Sequence, residues 1–457
     1  MSAPNTNLTA ACRYIQSWLD FYFPQLHTPG LSVAIAHAGK PIFAGAWGVA
    51  NTLTQEKLTP QHIFRAASHS KTFTATLAFL LKEQGLLRLD DPLGQHLPWL
   101  RPNKSLANLT LRQALSHSTG IARDGDQPNF WGYDHPFPTT TEWKEYYRQA
   151  KPVITPGTQF KYSNFGYGLV RFVLEAASQE KYEDLLQRLI LKPLNLKHTG
   201  PDQPHPKTKV AAGHSYPSPN GCVPLDPFLS AEGLMSVTGI HSTPTELAKA
   251  FSAFILPGGL LTEDSRREFL HPQWPINDTP TNKRWYCHGV AKDPLGNNYL
   301  YGHGGGYPGF ISKTLVCPST HLAISVGFNT LDAQVNILRG IYDLLKFFYH
   351  RKPAKRLLPY EGRFYNLWGT TDILATNDKL IVTSPHSISP LDSYTAELTP
   401  RQKHAFTITK ADGYSSFGQT VEFKMQQGQA VEMLWAGRHN PRLSVYQKQL
   451  KTLTYTP

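Results

Sequence analysis

The spacing of apolar positions changes several times along this chain, and each change predicts a different element. From Thr9 to Phe21 it fits one face of a helix. Between Leu31 and His37, Val33 and Ile35 alternate with Ser32, Ala34 and Ala36, which predicts a strand. Pro41 to Val49 gives a second strand, joined to the first through the turn Ala38-Gly39-Lys40. Helical spacing returns at Phe73, Leu77, Leu80 and Leu81, and Gly85 stands where that helix can end. From about Leu87 to Leu270 the pattern reads as helix and loop. Within it, the proline- and aromatic-rich stretch Asp124 to Phe137 is a candidate to overhang a cleft. Strands are predicted again at Trp285–Val290, Tyr299–Gly302, Phe310–Val316 and Leu322–Asn329. A helix with Val335, Leu338, Tyr342, Leu345 and Phe348 on one side follows them.

The character then changes. His350-Arg351-Lys352-Pro353-Ala354-Lys355-Arg356 reads as a basic linker. Beyond it, short runs at Thr371–Ala375, Lys379–Thr383, Ala405–Thr409, Thr420–Met425 and Ala430–Trp435 are separated by turn residues. This pattern predicts a small antiparallel barrel or sandwich. The expected organisation is a first domain over 1–349 with a helical subdomain at about 87–270, a linker over 350–359, and an all-β domain over 360–457.

With 457 residues, 40% of them hydrophobic, the chain can bury a sizeable interior. No apolar run approaches the roughly 18 to 20 residues of a membrane helix. The start, Met1 to Asn7, lacks the basic and apolar regions of a signal peptide. Cys12, Cys222, Cys287 and Cys317 are too widely spaced to imply a disulfide framework. Cytoplasmic residence is the plainest expectation. The net charge of +12 reads as solvated surface, because there is no long basic run, nucleic-acid motif or basic amphipathic helix. No nucleic-acid or membrane partner is expected. The nineteen histidines include no H-E-x-x-H and no paired Cys/His spacing, so neither metal nor cofactor is expected.

The candidate chemistry begins at Ser68-His69-Ser70-Lys71, where a hydroxyl and an amine stand three residues apart at the start of a helix and so share a face. A serine becomes a useful nucleophile when a neighbouring base takes its proton, and a desolvated lysine can be that base. The spacing alone means little, since roughly two such matches arise by chance in a chain of this length. Ser178 to Lys181 is the second, and it reads as the solvated part of a helix. Tyr162-Ser163-Asn164 adds a phenol, able to relay protons once a nearby cation lowers its pKa, and an amide able to hold a carbonyl. Gly302-His303-Gly304-Gly305-Gly306 adds an imidazole in open backbone. Gly304-x-Gly306-x-x-Gly309 also fits a dinucleotide fingerprint, but Pro308 interrupts it and a strand rather than a helix follows.

Ser68-x-x-Lys71, Tyr162-x-Asn164 and His303-x-Gly305, in that order, resemble the three motifs of the serine β-lactamase and penicillin-binding-protein superfamily. The resemblance is nearest to its class C-like branch of D-aminopeptidases, D,D-carboxypeptidases and related esterases. Leu89–Pro92, Leu111–Gly120, Pro193–Thr199 and Gly233–Ser236 resemble family segments as well, so the likeness runs from about Pro29 to about Leu345. It implies an α+β fold: an antiparallel sheet flanked by helices, with a helical subdomain. Some members add a lipocalin-like β-domain, whose opening strand Tyr360–Tyr365 is similar to. Oligomer contact or a wall of the active site are the roles that addition would have.

The resemblance also implies a mechanism. Ser68 would attack a carbonyl to form an acyl-enzyme, with Lys71 and Tyr162 sharing the proton work. The Ser68 and Gly306 N–H groups would form the oxyanion hole, within a substrate cradle of Gly304, Gly305 and Gly306. Asn164 would orient the substrate amide or the Lys71 amine. The implied substrate is a small ester or a D-amino-acid peptide or amide. A non-catalytic ligand-binding module is the alternative, and a weak β-lactamase or D,D-carboxypeptidase a further one. One departure matters most. His303 stands where β-lactamases and most penicillin-binding proteins carry lysine, which implies poor handling of β-lactam carboxylates. Its imidazole is expected to protonate toward pH 6 and then attract carboxylates. The rival expectation is that His303 packs its loop while Arg65 or Arg123 reads substrate charge.

Overall fold

Strands Gly30–His37 and Leu322–Phe328 are buried almost throughout and pair antiparallel from Leu31 opposite Phe328 to His37 opposite Leu322. Their near-continuous apolar runs suit strands covered on both faces. In this computed structural model they are the third and fourth strands of a nine-stranded sheet. The described residues are 6–125, 128–205, 208–277, 279, 283–296, 298–392, 396–411 and 416–453. The signal-peptide reading at Met1 to Asn5 and part of the stretch from Asp124 to Phe137, at Asp126 and Gln127, lie outside them.

On one side of this pair the sheet continues through Lys40–Asn51 to Glu56–Lys57. On the other it runs through Phe310–Cys317, Asn298–Tyr307, Ala291–Leu295 and Trp285–Tyr286 to Trp274–Pro275. Pro244–Ile255, a helix capped by the Thr243 side chain on the Glu246 N–H, packs on the same two strands. The next helix to matter, His69–Glu83, is buried on nearly every side. Its hydroxyls tolerate this because they have partners: Ser70 donates to Ala67 O, Thr72 to Gly289 O and Thr74 to Ser236 O.

The glycine-rich segment departs from expectation. Strand Asn298–Tyr307 runs straight through Gly302 to Gly306, paired residue by residue with Phe310–Val316. Glycine is a weak strand former, and here close packing asks for it. A Cβ on Gly305 would stand 2.2 Å from the Ala66 carbonyl oxygen, so the strand lies directly against the turn that carries Ser68. Trp285–Val290 shortens to Trp285–Tyr286, and an unforeseen strand follows at Ala291–Leu295.

Contacts divide the chain into two compact units, Thr28–Val335 and Met1–His27 with Asn336–Pro457. The expected boundary at 349/350 therefore falls inside the second unit. The reason is that helices Thr6–Tyr22 and Ile337–His350 pack on each other, Tyr14 stacking on Phe348, while the Tyr14 hydroxyl donates to Asp372 in the β-region. Lys355–Tyr360, within the expected linker, forms a 3-10 turn. The β-region is one eight-stranded sheet from Gly362–Asn366 to Arg438–Pro441, each strand beside the next in sequence. Asn366 and Asn440 hydrogen-bond between its first and last strands, so it is a nearly closed up-and-down barrel rather than a sandwich. Strands Ala396–Gln402 and Arg438–Pro441 and the final helix Leu443–Leu453 were not anticipated from the pattern.

Candidate active site

Ser68 stands at the N-terminus of the buried helix, and Lys71 follows it by one turn. Just ahead of Ser68, the buried Ala67 holds a left-handed φ of 53°, a conformation costly for a residue with a Cβ. Lys71 Nζ lies 3.0 Å from Ser68 Oγ and donates to the Val237 carbonyl at 3.1 Å. The Tyr162 hydroxyl donates to the same Ser68 Oγ at 2.9 Å. The Ser68 hydroxyl is thus bracketed by an amine and a phenol.

Burial moves these two partners in opposite directions. Lys71 is fully enclosed, and desolvation holds its pKa well below the usual lysine range; Asp124 opposes that drop and Arg123 adds to it. Tyr162 keeps one edge on the cleft, yet burial pushes its pKa up, against the Ser68 hydrogen bond and Arg123. The lowering that the nearby Arg123 cation supplies is thus outweighed by burial, and Lys71 Nζ sits 5.0 Å from the ring centroid. A neutral amine accepts a proton, and a phenol that keeps its proton can donate one. Those are complementary capacities around one hydroxyl.

Asn164 enters from the start of helix Asn164–Ser178, whose N-cap is the Ser163 hydroxyl accepting from the Gly166 N–H. Its amide nitrogen donates to Asp124 Oδ1 at 2.6 Å, and its buried carbonyl oxygen has no hydrogen-bond partner. An unpaired acceptor is set to receive an N–H from a ligand. The hydrogen bonds of the Lys71 amine go to Ser68 and Val237, and none to Asn164 is among them.

Gly304 and Gly306 line the same cleft, whereas Gly305 faces the Ala66 turn behind it. The neighbouring strand Ala291–Leu295 stops opposite Gly302, so on that side the edge from His303 to Tyr307 has no strand partner among the described residues. The cleft encloses about 430 Å³ and is completed by Arg123, Asp124 and Trp131.

His303 lines the cleft but does not behave as expected. Its Nδ1 meets the Gly304 carbonyl at 2.5 Å and its Nε2 meets the Tyr286 hydroxyl at 3.1 Å. A carbonyl only accepts, so Nδ1 carries the hydrogen and Nε2 accepts from the phenol. This is a satisfied neutral ring. Burial first, then repulsion from Lys71, pushes the His303 pKa down to about 3 despite the Gly304 carbonyl. Both ring nitrogens are already engaged, and this environment works against the expected protonation toward pH 6. Arg65 is also removed as a reader of substrate charge: it is buried, lies 4.5 Å over the Tyr307 ring and faces Asp202. Arg123, mostly exposed and bound to Asp124, is the arginine that lines the cleft.

Ser178 and Lys181 stand apart from all this. The Ser178 hydroxyl donates to Leu174 O at the end of its helix, and Lys181 is exposed. Sequence reasoning missed Asp124, Tyr286 and Val237. Asp124 and Tyr286 belong to no motif, and Val237 contributes a backbone carbonyl that no side-chain pattern announces. Among the described residues, no group of three or more His, Cys, Asp or Glu side chains is arranged to hold a metal ion.

A family model described as Beta-lactamase matches residues 14–345. The chain belongs to the β-lactamase family. A Beta-lactamase from Pseudomonas fluorescens is 34% identical over 189 residues, covering 40% of this chain and 49% of that protein. Protein flp of Staphylococcus aureus is 26% identical over 192 residues, covering 40% of this chain and 37% of that protein. The matched region thus spans half or less of each of these curated relatives. Solved structures share the fold. The octameric penicillin-binding protein homologue from Pyrococcus abyssi aligns with a TM-score of 0.64 at 22% identity, over 93% of this chain and 98% of its own. A D-amino acid amidase from Ochrobactrum anthropi SV3, complexed with D-phenylalanine, aligns at 0.62 and 23% identity, over 75% of this chain and 98% of its own.

Proposed function

We propose that this chain is a serine acyl-hydrolase that cleaves a small ester or a D-amino-acid amide through an acyl-enzyme on Ser68. The observation that carries the reading is the Ser68 hydroxyl held between the desolvated Lys71 amine at 3.0 Å and the Tyr162 phenol at 2.9 Å. Lys71 Nζ takes the Ser68 proton as Oγ bonds to the substrate carbonyl carbon. The oxyanion is met by the N–H of Ser68, in the first turn of its helix, and by that of Gly306. Tyr162 passes its proton to the leaving nitrogen or oxygen as that bond breaks, and Lys71 returns the proton to Tyr162. Water then attacks the acyl-enzyme ester and gives a proton to Lys71; the bond between the acyl carbon and Ser68 Oγ breaks, Oγ takes that proton back from Lys71, and the acid leaves with the Ser68 hydroxyl and the neutral amine restored. Asn164 accepts from a substrate N–H. His303, a neutral ring tied to Tyr286 and Gly304, shapes the strand rather than moving protons.

Intact-mass analysis after exposure to a fluorophosphonate, and separately to a penicillin, tests this. A single adduct with the fluorophosphonate and a slow or absent one with penicillin is expected; no fluorophosphonate adduct would remove the proposal. The Pyrococcus abyssi homologue is described as octameric. We extend self-association through the barrel to this chain, and a monomer mass by light scattering would withdraw it. No described helix is long and apolar enough to cross a membrane. No disulfide joins the four cysteines, three of them buried, which fits the cytoplasmic placement we propose. Recovery from an oxidising compartment on fractionation would overturn that placement.

A further inference from the structure

Beside the cleft lies a second, larger chamber of about 680 Å³, with Phe130, Phe137, Trp143 and Tyr146 in its walls. Asp124 lines both spaces. So the two adjoin, and Trp131 of the cleft packs edge-on against Phe137 at 5.0 Å and at 5.5 Å from Phe130. The volume is that of a small-molecule site, and its lining includes no lysine or arginine. The aromatic walls are held in place rather than loose: Phe130 and Phe137 are buried against each other at 4.9 Å, and Phe137 stacks on Tyr307 at 5.7 Å. Tyr307 ends the glycine-rich strand, so the chamber wall and the substrate edge are braced against each other.

We propose that this chamber receives a large aromatic side chain on the acyl half of the substrate, making the chain selective for aryl-bearing acyl groups. This rests on the acyl-enzyme reading and narrows it. The acyl half remains on Ser68 through both chemical steps, whereas the leaving group must escape to water. A partly open, aromatic-walled space beside the cleft therefore serves the half that stays. Edge-to-face contacts with Phe130 and Phe137 would hold an aryl ring there.

The test holds the leaving group constant. D-alanyl and D-phenylalanyl p-nitroanilides, and acetyl and 3-phenylpropanoyl p-nitrophenyl esters, are compared by kcat/KM. Burying the aryl group predicts a preference of about 30-fold or more for the aryl member of the reactive pair. His135 and Pro136, exposed at the chamber, allow it to be filled from outside. In His135→Trp and Pro136→Trp the preference is expected to fall at least about 5-fold. A wild-type ratio near one, or a ratio retained in both folded variants, overturns the inference. A wild type that hydrolyses neither pair and takes no fluorophosphonate on Ser68 would instead remove the acyl-enzyme reading beneath it.

Discussion

The chain carries the same four-residue spacing twice, and the two copies have opposite fates. Ser68 and Lys71 open a helix buried on nearly all sides, where the amine has lost its water and the hydroxyl has two polar neighbours. Ser178 closes another helix, where its hydroxyl satisfies the Leu174 carbonyl, and Lys181 lies solvated beyond that end, just ahead of the next helix. Spacing is identical, yet one pair forms a strained, desolvated cluster and the other a helix end. The difference lies in third parties distant in sequence: Val237 and Tyr162, and the glycine strand that lets Ala66 approach within the space of a missing Cβ. Under the proposed mechanism, reactivity would come from burial and company rather than from the motif.

The comparison breaks most sharply by deleting each hydroxyl. Ser68→Ala is expected to abolish acylation while the thermal midpoint stays close to that of the wild type, and Ser178→Ala to leave turnover within about 2-fold. Equal losses in the two variants would mean that the burial argument is wrong. One step down, Lys71→Ala and Tyr162→Phe should each lower kcat/KM by at least about 100-fold, the scale of lost general acid–base catalysis. Lys181→Ala should change almost nothing by the same assay.

The pH profile sharpens the contrast further. Only the neutral Lys71 amine can accept the Ser68 proton, so kcat/KM should rise with pH through its pKa and then level. Because desolvation lowers that pKa, the plateau begins well below the ordinary lysine range. His303 has the reverse consequence. With its pKa near 3 it stays neutral on both sides of the ordinary imidazole value, so substrate preference should show no histidine titration there. Its ring nitrogens, followed by NMR between about pH 5.5 and 8.5, should hold the neutral signature of an Nδ1–H tautomer. A midpoint near the ordinary value would restore the switch that the geometry removes. The smallest effect falls on Arg123. As an exposed cation at the cleft, its replacement by glutamine should weaken anionic substrates relative to neutral ones by only about 2- to 5-fold.

Much of this was legible in the chain, and the misses share a cause. The strand at Leu31–His37 and the helix from Phe73 to Leu81 recur as elements, both buried on nearly every side, because local propensity and tertiary burial favour the same conformation there. The family motifs singled out Ser68, Tyr162 and Asn164, which the fold brings together at one cleft, and Lys71, which is buried against Ser68 beneath it. The strand through Gly302–Gly306 was hidden because glycine's weak propensity is overridden by pairing with Phe310–Val316. His303 misled for a related reason. Its residue type suggested a titrating cation, whereas its environment, supplied by Tyr286 and the Gly304 carbonyl, fixes it neutral. Asp124 entered only as one end of the proline- and aromatic-rich stretch and not as a site residue, because a carboxylate in a loop carries no spacing signal. The domain boundary moved because the first helix returns to join residues beyond Asn336, a contact between the two ends of the chain.

The most direct test of the central claim is the rate at which a fluorophosphonate labels each serine, localised by peptide mass, in wild type and Lys71→Ala. The adduct should fall on the peptide holding Ser68, and its rate of formation should drop at least about 100-fold when the amine is removed. An adduct on another serine, or equal labelling of Ser68 without Lys71, would contradict the account.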